Sequence, residues 1–248
     1  MAAAGAGALW GFLPGWFKAK RGAHEVIVTI LLNIVAISLV NWLILNLLKD
    51  PMSQVPETQV VGDGYRLSWR YLAGTPANVT LFLALAAAIV VNTVLNRTPL
   101  GFEIRAVGGN RHAARVQGIS EGKIWATAMA LGGAMAGLVG VNEVMGQAFR
   151  LKDGFSPGFG YTGIAVALLG RGNPLGVVLA AFFFGALHKG ASDLDLDTDR
   201  ITRDLALVMQ AVIILAVAVE PGVKRWVMSR GNRRAIAASG SGEGGRKP

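Results

Sequence analysis

The stretch VIVTILLNIVAISLVNWLILNLL, Val26 to Leu48, runs for 23 residues without a charged side chain. A helix of about 20 apolar residues covers the roughly 30 Å hydrocarbon core of a bilayer, so this segment reads as a membrane span. Two more runs qualify, Ala77 to Leu95 with 19 residues and Ile124 to Met145 with 22. A fourth, Ile201 to Val219, carries Arg203 and Asp204 in its first turn, close enough to an interface to stay hydrated. Between the third and fourth lie two short apolar segments, Tyr161 to Gly170 and Pro174 to Leu187, separated by the polar turn Arg171, Gly172, Asn173. They read as two short, tilted or broken crossings, or as one hairpin that dips into the membrane and returns. The fold class expected is all-α: a polytopic integral membrane helical bundle of about five to seven membrane segments.

Composition agrees. Of the 248 residues 52% are hydrophobic and 16% charged. A disordered chain shows low hydrophobicity instead, and with no cysteine a disulfide-stapled secreted domain is excluded. The net charge of +9 would, in a soluble protein, raise the question of a nucleic-acid partner. The placement of the charges answers it. One side of the membrane collects 16 Lys and Arg: Lys18, Lys20 and Arg21, five between residues 96 and 123, Arg171, and seven beyond Glu220. The other collects 8, together with the acidic run Asp193, Asp195, Asp197, Asp199. By the positive-inside rule the basic side is cytoplasmic, which makes the charge a topology signal and leaves no nucleic-acid partner.

The ends read differently. Met1 to Phe17 is apolar but short for a span, and its cations follow the apolar stretch, the reverse of a signal peptide. It looks like the last half of a helix leaving the membrane at Lys18, and so leads us to expect further spans before Met1. Residues 1–230 read as one transmembrane domain, and 231–248, rich in Gly, Ser and Arg, as a disordered cytosolic tail.

Several familiar motifs fail on inspection. There is no G-x-x-x-x-G-K-[ST] loop, so any ATP hydrolysis must occur elsewhere. Gly158, Gly160 and Gly163 match G-x-G-x-x-G, but the first carboxylate after them is Asp193, too far for a dinucleotide site. These glycines suit the start or break of a membrane helix. Small-xxx-small pairs at Gly133 and Gly137 and at Gly172 and Gly176 suit close helix packing. The Asp193 to Asp204 run lacks the turn glycine of a calcium loop and reads as a solvated acidic loop. His24, His112 and His188 are scattered and support neither a zinc site nor a triad.

The most informative polar stretch is RTPLGFEIRAVGGNRHAARVQGIS, Arg97 to Ser120. It has a Pro/Gly entry, a short amphipathic piece with Glu103 and Arg105, a break at Gly108 and Gly109, and a helix-prone segment that Asn110 can cap. A loop that merely reverses the chain seldom carries this much helical character. Ala113, Ala114 and Gly118 let a partner come close while Arg111 and Arg115 flank them, so the stretch reads as a docking element for a cytosolic protein.

Four segments then resemble a known family: Phe17 to Asn33, Gly101 to Ser120, Leu131 to Gly146 and Gly158 to Leu187. In order and spacing they are similar to permease subunits of ABC importers for nucleosides and simple sugars, within the wider ribose and branched-chain amino-acid permease group. The AHEVIVTILLN and GIAVALLGRGNP segments favour the nucleoside branch. The resemblance implies a multi-pass protein of the inner (cytoplasmic) membrane, with its C-terminus cytoplasmic. The implied partners are cytosolic ABC ATPase subunits, a second permease subunit, an extracytoplasmic substrate-binding (lipo)protein and membrane lipid. This chain itself would bind no cofactor; ATP and Mg would sit on the partner ATPase. In that frame Glu103, Arg105, Gly108, Asn110, Arg111, Ala113, Ala114 and Gly118 are the expected ATPase-coupling residues.

Short or broken helices near the midplane commonly line transport sites, which points to Phe159, Tyr161 and Thr162. Polar residues within spans add Asn33, Asn142 and Glu143. No paired acid and base or metal-ligand set shares a helical face, which argues against an enzyme. Open at this point are the ligand (a nucleoside, ribose, another simple sugar or a branched-chain amino acid) and a truncated chain acting only as a membrane scaffold.

Overall fold

The computed structural model of the chain describes residues 1–67, 78–156, 158–197, 208–213, 215–216 and 219. Among the described residues the α-helices run in the order α1 (Ala2–Arg21), α2 (Glu25–Asn46), α3 (Thr80–Arg97), α4 (Pro99–Gly109), α5 (Arg111–Val116), α6 (Glu121–Val141), α7 (Phe159–Leu169) and α8 (Pro174–Asp197). A π-helical turn, Asn142–Gln147, continues α6. Among the described residues four helices are long and apolar enough to cross a membrane: α2, α3, Glu121–Gln147 and Pro174–Leu196. The chain forms two compact units, Met1–Pro157 and Gly158–Pro248.

The first unit is organised by α1 against α6. Along α1 the residues Gly7, Gly11, Gly15 and Ala19 fall four apart, on one ridge. A Cβ built on Gly7 would overlap the Gly133 carbonyl, one on Gly11 would stand 2.5 Å from the Met129 carbonyl oxygen, and one on Gly15 2.6 Å from the Ala126 Cα. A Cβ on Gly137 would stand 2.2 Å from the Ala3 carbonyl oxygen, and one on Gly122 3.0 Å from the Ala19 Cβ. The two helices are therefore antiparallel, in backbone contact over five successive levels. Between apolar helices in lipid there is little hydrophobic drive, and van der Waals contact of small residues supplies the association. The packing expected of Gly133 and Gly137 is present, and its partner is the N-terminal segment. That segment is a helix of 20 residues, closed at Gly22 by a left-handed turn with φ 63°.

Two clusters mark the ends of this unit. At one end the Lys18 ammonium lies 4.4 Å and the Arg111 guanidinium 5.4 Å from the centre of the Trp125 ring, so the end of α1, the start of α5 and the base of α6 lie together. At the other, the segment after α2 pairs with the π turn and the segment that follows it. Thr58 N–H donates to the Leu151 carbonyl (3.0 Å), Val61 N–H to Phe149 (2.8 Å) and Leu67 N–H to Met145 (2.8 Å). Buried Glu57 binds Arg150 and accepts from the Ser53 hydroxyl at 2.9 Å.

In the second unit α7 and α8 form a hairpin around Ala165, Val166, Ala180 and Phe184. Three sequence expectations change here. The segment expected to stop at Leu187 continues as helix to Asp197, 24 residues in all. An apolar count ends at His188, but backbone hydrogen bonding does not, and the Lys189–Asp193 ion pair at i,i+4 supports the extra turns. Asp193 and Asp195 thus lie on α8 and not in an acidic loop. Of Gly172 and Gly176, only the second lets backbones approach, bringing the first turn of α8 against the end of α7. Gly172 has φ 72° in the α7–α8 turn, and a Cβ on Gly176 would stand 2.6 Å from the Gly170 carbonyl oxygen within the same turn. Gly158 opens α7 at φ 78°, as expected of a helix start. Most of the Ile201 to Val219 span, Asp199, Asp204, the tail 231–248 and the C-terminus lie outside the described residues.

Gly133→Val should disrupt the α1–α6 seam at an overpacking cost of about 1–3 kcal/mol. Gly132→Ala, whose Cβ would meet nothing within 4 Å, should not. Thermal melting of the detergent-purified protein measures both, and equal melting temperatures would exclude the seam.

Candidate functional site

The face that carries Trp125 is built from the α3–α6 connection. The Thr98 hydroxyl donates back to the Val94 carbonyl (2.6 Å) and accepts from Gly101 N–H (3.2 Å), joining α3 to α4 with Pro99 in the first turn. A side chain at Gly101 would collide with the Val94 and Leu95 carbonyls, so glycine is required for this tight reversal. Asn110 ends α4 and begins α5, its Oδ1 accepting from Ala113 N–H at 3.1 Å. This is the cap that the sequence predicted. The break expected at Gly108 and Gly109 falls directly after them: they are the last two residues of α4, and Asn110 is extended.

The end of α5 corrects two sequence expectations. Gly118 has φ 82°, its N–H donates to the Arg115 carbonyl (2.9 Å), and Ile119 N–H donates to Ala114 (3.0 Å). This double bond pattern is a Schellman closure, which needs a left-handed residue. Gly118 therefore serves the backbone turn, at an exposed position. Ala114 is 2% exposed and sits in an internal cluster with Val107 and Ile124, bordered by Leu100, Ile104, Ile119 and Trp125. It braces the hairpin on α6 instead of facing outward.

The outward face holds Arg105, Gly108, Asn110, Arg111 and Ala113, with Glu103 half-buried. Two exposed apolar residues join it that sequence reading missed, Phe102 and Val116 (56% and 78% exposed). The signal was available, since each is an apolar side chain on a short polar-rich helix. Arg105 reaches Asn96 Oδ1 at 3.4 Å, and Arg115 pairs with Glu121 at 2.7 Å. Lys18, just past the apolar part of α1, is paired with Glu25. Burial holds its ammonium below the usual lysine range, and the nearby Arg111 charge lowers it further.

At the opposite end, Asn142 and Glu143 lie in the π turn. Asn142 Nδ2 donates to Glu143 Oε1 (3.1 Å), and the Thr80 hydroxyl binds Asn142 Oδ1. Glu143 lines a cavity of about 60 Å³ with Val144, Ala148, Arg150, Lys152 and Phe155. The remaining candidates are not drawn into this group. Asn33 is exposed in mid-α2. Phe159, Tyr161 and Thr162 form the first turn of α7 in the second unit, with Tyr161 80% exposed. Sequence reading missed Asn78 and Thr80, which are buried and hold the π turn.

A family model described as branched-chain amino acid transport system / permease component matches residues 1–218, and the chain belongs to that family. Among curated relatives, it is 37% identical to a guanosine ABC transporter permease protein of Bacillus subtilis, over 92% of this chain and 66% of the relative. It is 32% identical to a glucose ABC transporter permease protein of Haloferax volcanii, over 97% of this chain and 67% of the relative. A nucleoside ABC transporter permease protein of Lactococcus lactis subsp. cremoris is 34% identical, over 86% and 60%. The chain thus spans about two thirds of the length of these relatives. No solved structure matches it.

Replacing Asn110 by alanine removes the α5 cap at a cost of about 1 kcal/mol. Amide exchange of residues 111–116 should accelerate about fivefold, the factor that 1 kcal/mol represents. Unchanged exchange would show that the cap does not hold α5.

Proposed function

We propose that the chain is a permease subunit of an ATP-binding-cassette importer that carries a nucleoside across the cytoplasmic membrane. The observation that carries this reading is the α4–α5 hairpin. It lies between two spans, is braced on α6 by Ala114 and Val107, and presents Arg105 and Arg111 outward. The charge excess assigns this face to the cytoplasm. A hairpin rigidly attached to α3 and α6 can transmit rigid-body motion of a bound ATPase to the membrane helices, which flexible loops cannot. ATP and Mg belong on that ATPase. A second permease subunit would complete the pathway, and a binding (lipo)protein would deliver solute to the opposite face. Contacts to the ATPase fall to Arg105, Asn110, Arg111 and Ala113, with Phe102 and Val116 adding apolar area.

Two nucleoside-type relatives support the nucleoside assignment. The glucose permease match over nearly the whole chain supports a sugar as the second reading. In either case Asn142 and Glu143 are the pathway residues nearest the arriving solute.

Arg105→Glu combined with Arg111→Glu should abolish uptake and ATPase association while membrane insertion persists. Co-purification with the co-encoded ATPase and nucleoside-stimulated ATP hydrolysis in liposomes test this, and unimpaired uptake would sink the assignment. Competition by ribose, glucose and branched-chain amino acids separates the two solute readings.

A further inference from the structure

The chain that leaves α2 folds into a closed turn. Asp50 N–H donates to the Glu57 carbonyl at 3.0 Å, and the flanking pair, Lys49 and Thr58, forms an antiparallel bridge. Within this closure the polar groups bind one another. Met52 N–H donates to Asp50 Oδ1 (3.0 Å) and Ser53 N–H to the Asp50 carbonyl (3.2 Å). The Ser53 hydroxyl accepts from Val55 N–H (3.2 Å) and donates to Glu57 Oε1 (2.9 Å). Glu57, 8% exposed, is held in turn by Arg150. The apolar side chains are left outside: Met52 is 95% exposed and Val55 57%. The turn is built inside out, with carboxylate and hydroxyl within and thioether and isopropyl groups without.

In water the hydrophobic effect favours the opposite arrangement. Polar groups satisfied by protein and apolar groups turned outward is the order that a lipid environment imposes. Four observations place the turn in one. Its exposed apolar surface is continuous with that of the α2 span through Leu45, Leu47 and Leu48, each half-exposed or more. Trp42, also exposed, stands one helical turn before the end of α2, and indoles collect at the headgroup level of a bilayer. Met52 is two residues from Asp50 and Val55 two from Glu57, so neither Cα can stand more than about 7 Å from the closing pair, which matches a headgroup layer of about 5–7 Å. Lastly, residues 51–56, PMSQVP, carry no charge and none of the Trp, Tyr or Arg that anchor protein interfaces.

We propose that the turn at 50–57 is seated in membrane lipid, with Met52 and Val55 inserted into the interfacial layer of the leaflet at the C-terminal end of α2. The partner is the phospholipid surface itself, and an uncharged turn needs no anionic headgroup to enter it. Glu57 binds Arg150, and Thr58 and Val61 pair with Leu151 and Phe149, so seating the turn sets the depth of the segment that follows the π turn. The proposal requires only that α2 spans the bilayer and is independent of the solute carried.

The chain contains no cysteine, so a single introduced thiol carries a nitroxide label at one chosen place. The full chain is reconstituted in phosphatidylcholine nanodiscs. Paramagnetic resonance then measures collisions of the label with oxygen, which concentrates in the bilayer, and with a neutral nickel chelate, which stays in water. Met52→Cys and Val55→Cys are compared with two references. Ile34→Cys lies in mid-α2 at an exposed position, and Gly109→Cys ends α4, where a new Cβ meets nothing within 4 Å. The oxygen-to-nickel ratio at 52 and 55 should lie between those of the references, clearly above Gly109→Cys. A ratio equal to that of Gly109→Cys puts the turn in water, and low rates with both reagents put a protein surface over it; either overturns the proposal. Met52→Asp, added to Val55→Cys, should shift the ratio down to that of Gly109→Cys, because a carboxylate leaves the interface for water. Met52→Leu should leave the ratio in place. An aspartate variant with an unmoved ratio would equally refute the lipid seat.

Discussion

Everything described in the first unit hangs on the backbone contact between α1 and α6. Lipid gives two apolar helices no reason to prefer each other over acyl chains, so their association depends on how closely their atoms approach. Gly7, Gly11 and Gly15 on one side and Gly133 and Gly137 on the other remove the side chains that would hold the axes apart. With α6 fixed in this way, its two ends become reference points. The lower end carries Ile124 and Trp125, on which the α4–α5 hairpin is seated. The upper end carries the π turn with Asn142 and Glu143.

The two ends handle polar groups by different means. Around Trp125 the charges are interfacial: Lys18 is neutralised by Glu25 and both Lys18 and Arg111 lie over one indole, a contact of modest energy that orients more than it stabilises. Around the π turn the groups are amides, a hydroxyl and a carboxylate within reach of the hydrocarbon region. There each donor needs an acceptor from protein, because an unsatisfied group in lipid costs several kcal/mol. The network of Asn78, Thr80, Asn142 and Gly146 meets that requirement and leaves Glu143 facing a cavity. One rigid helix therefore joins the seat of the α4–α5 hairpin at one end with the π turn and its buried polar network at the other.

Sequence patterns carried some of this and not the rest. The Asn110 cap was legible because capping is local, set by a side chain and an amide three residues away. The Gly133 and Gly137 pair was legible as a packing surface, yet its partner was not. The ridge of Gly7, Gly11 and Gly15 was plain in the sequence once read at a spacing of four, but it stood in a segment judged by its length. Gly118 and Ala114 look the same in sequence whether small size serves a partner or the chain's own turn and core. Only the positive φ of Gly118 and the burial of Ala114 distinguish the two uses.

By itself the sequence determined that this is a membrane protein, where α2, α3 and α6 cross, and that a structured polar hairpin follows α3. Hydropathy sums over a window of neighbours, and each residue contributes regardless of what lies beyond it. Tertiary structure alone decided that α8 extends past its apolar run, that α1 is the companion of α6, and that Thr80 reaches across 62 residues to Asn142. Those outcomes depend on which surfaces meet, and a polar residue in a span shows its purpose only when the group that satisfies it is in place.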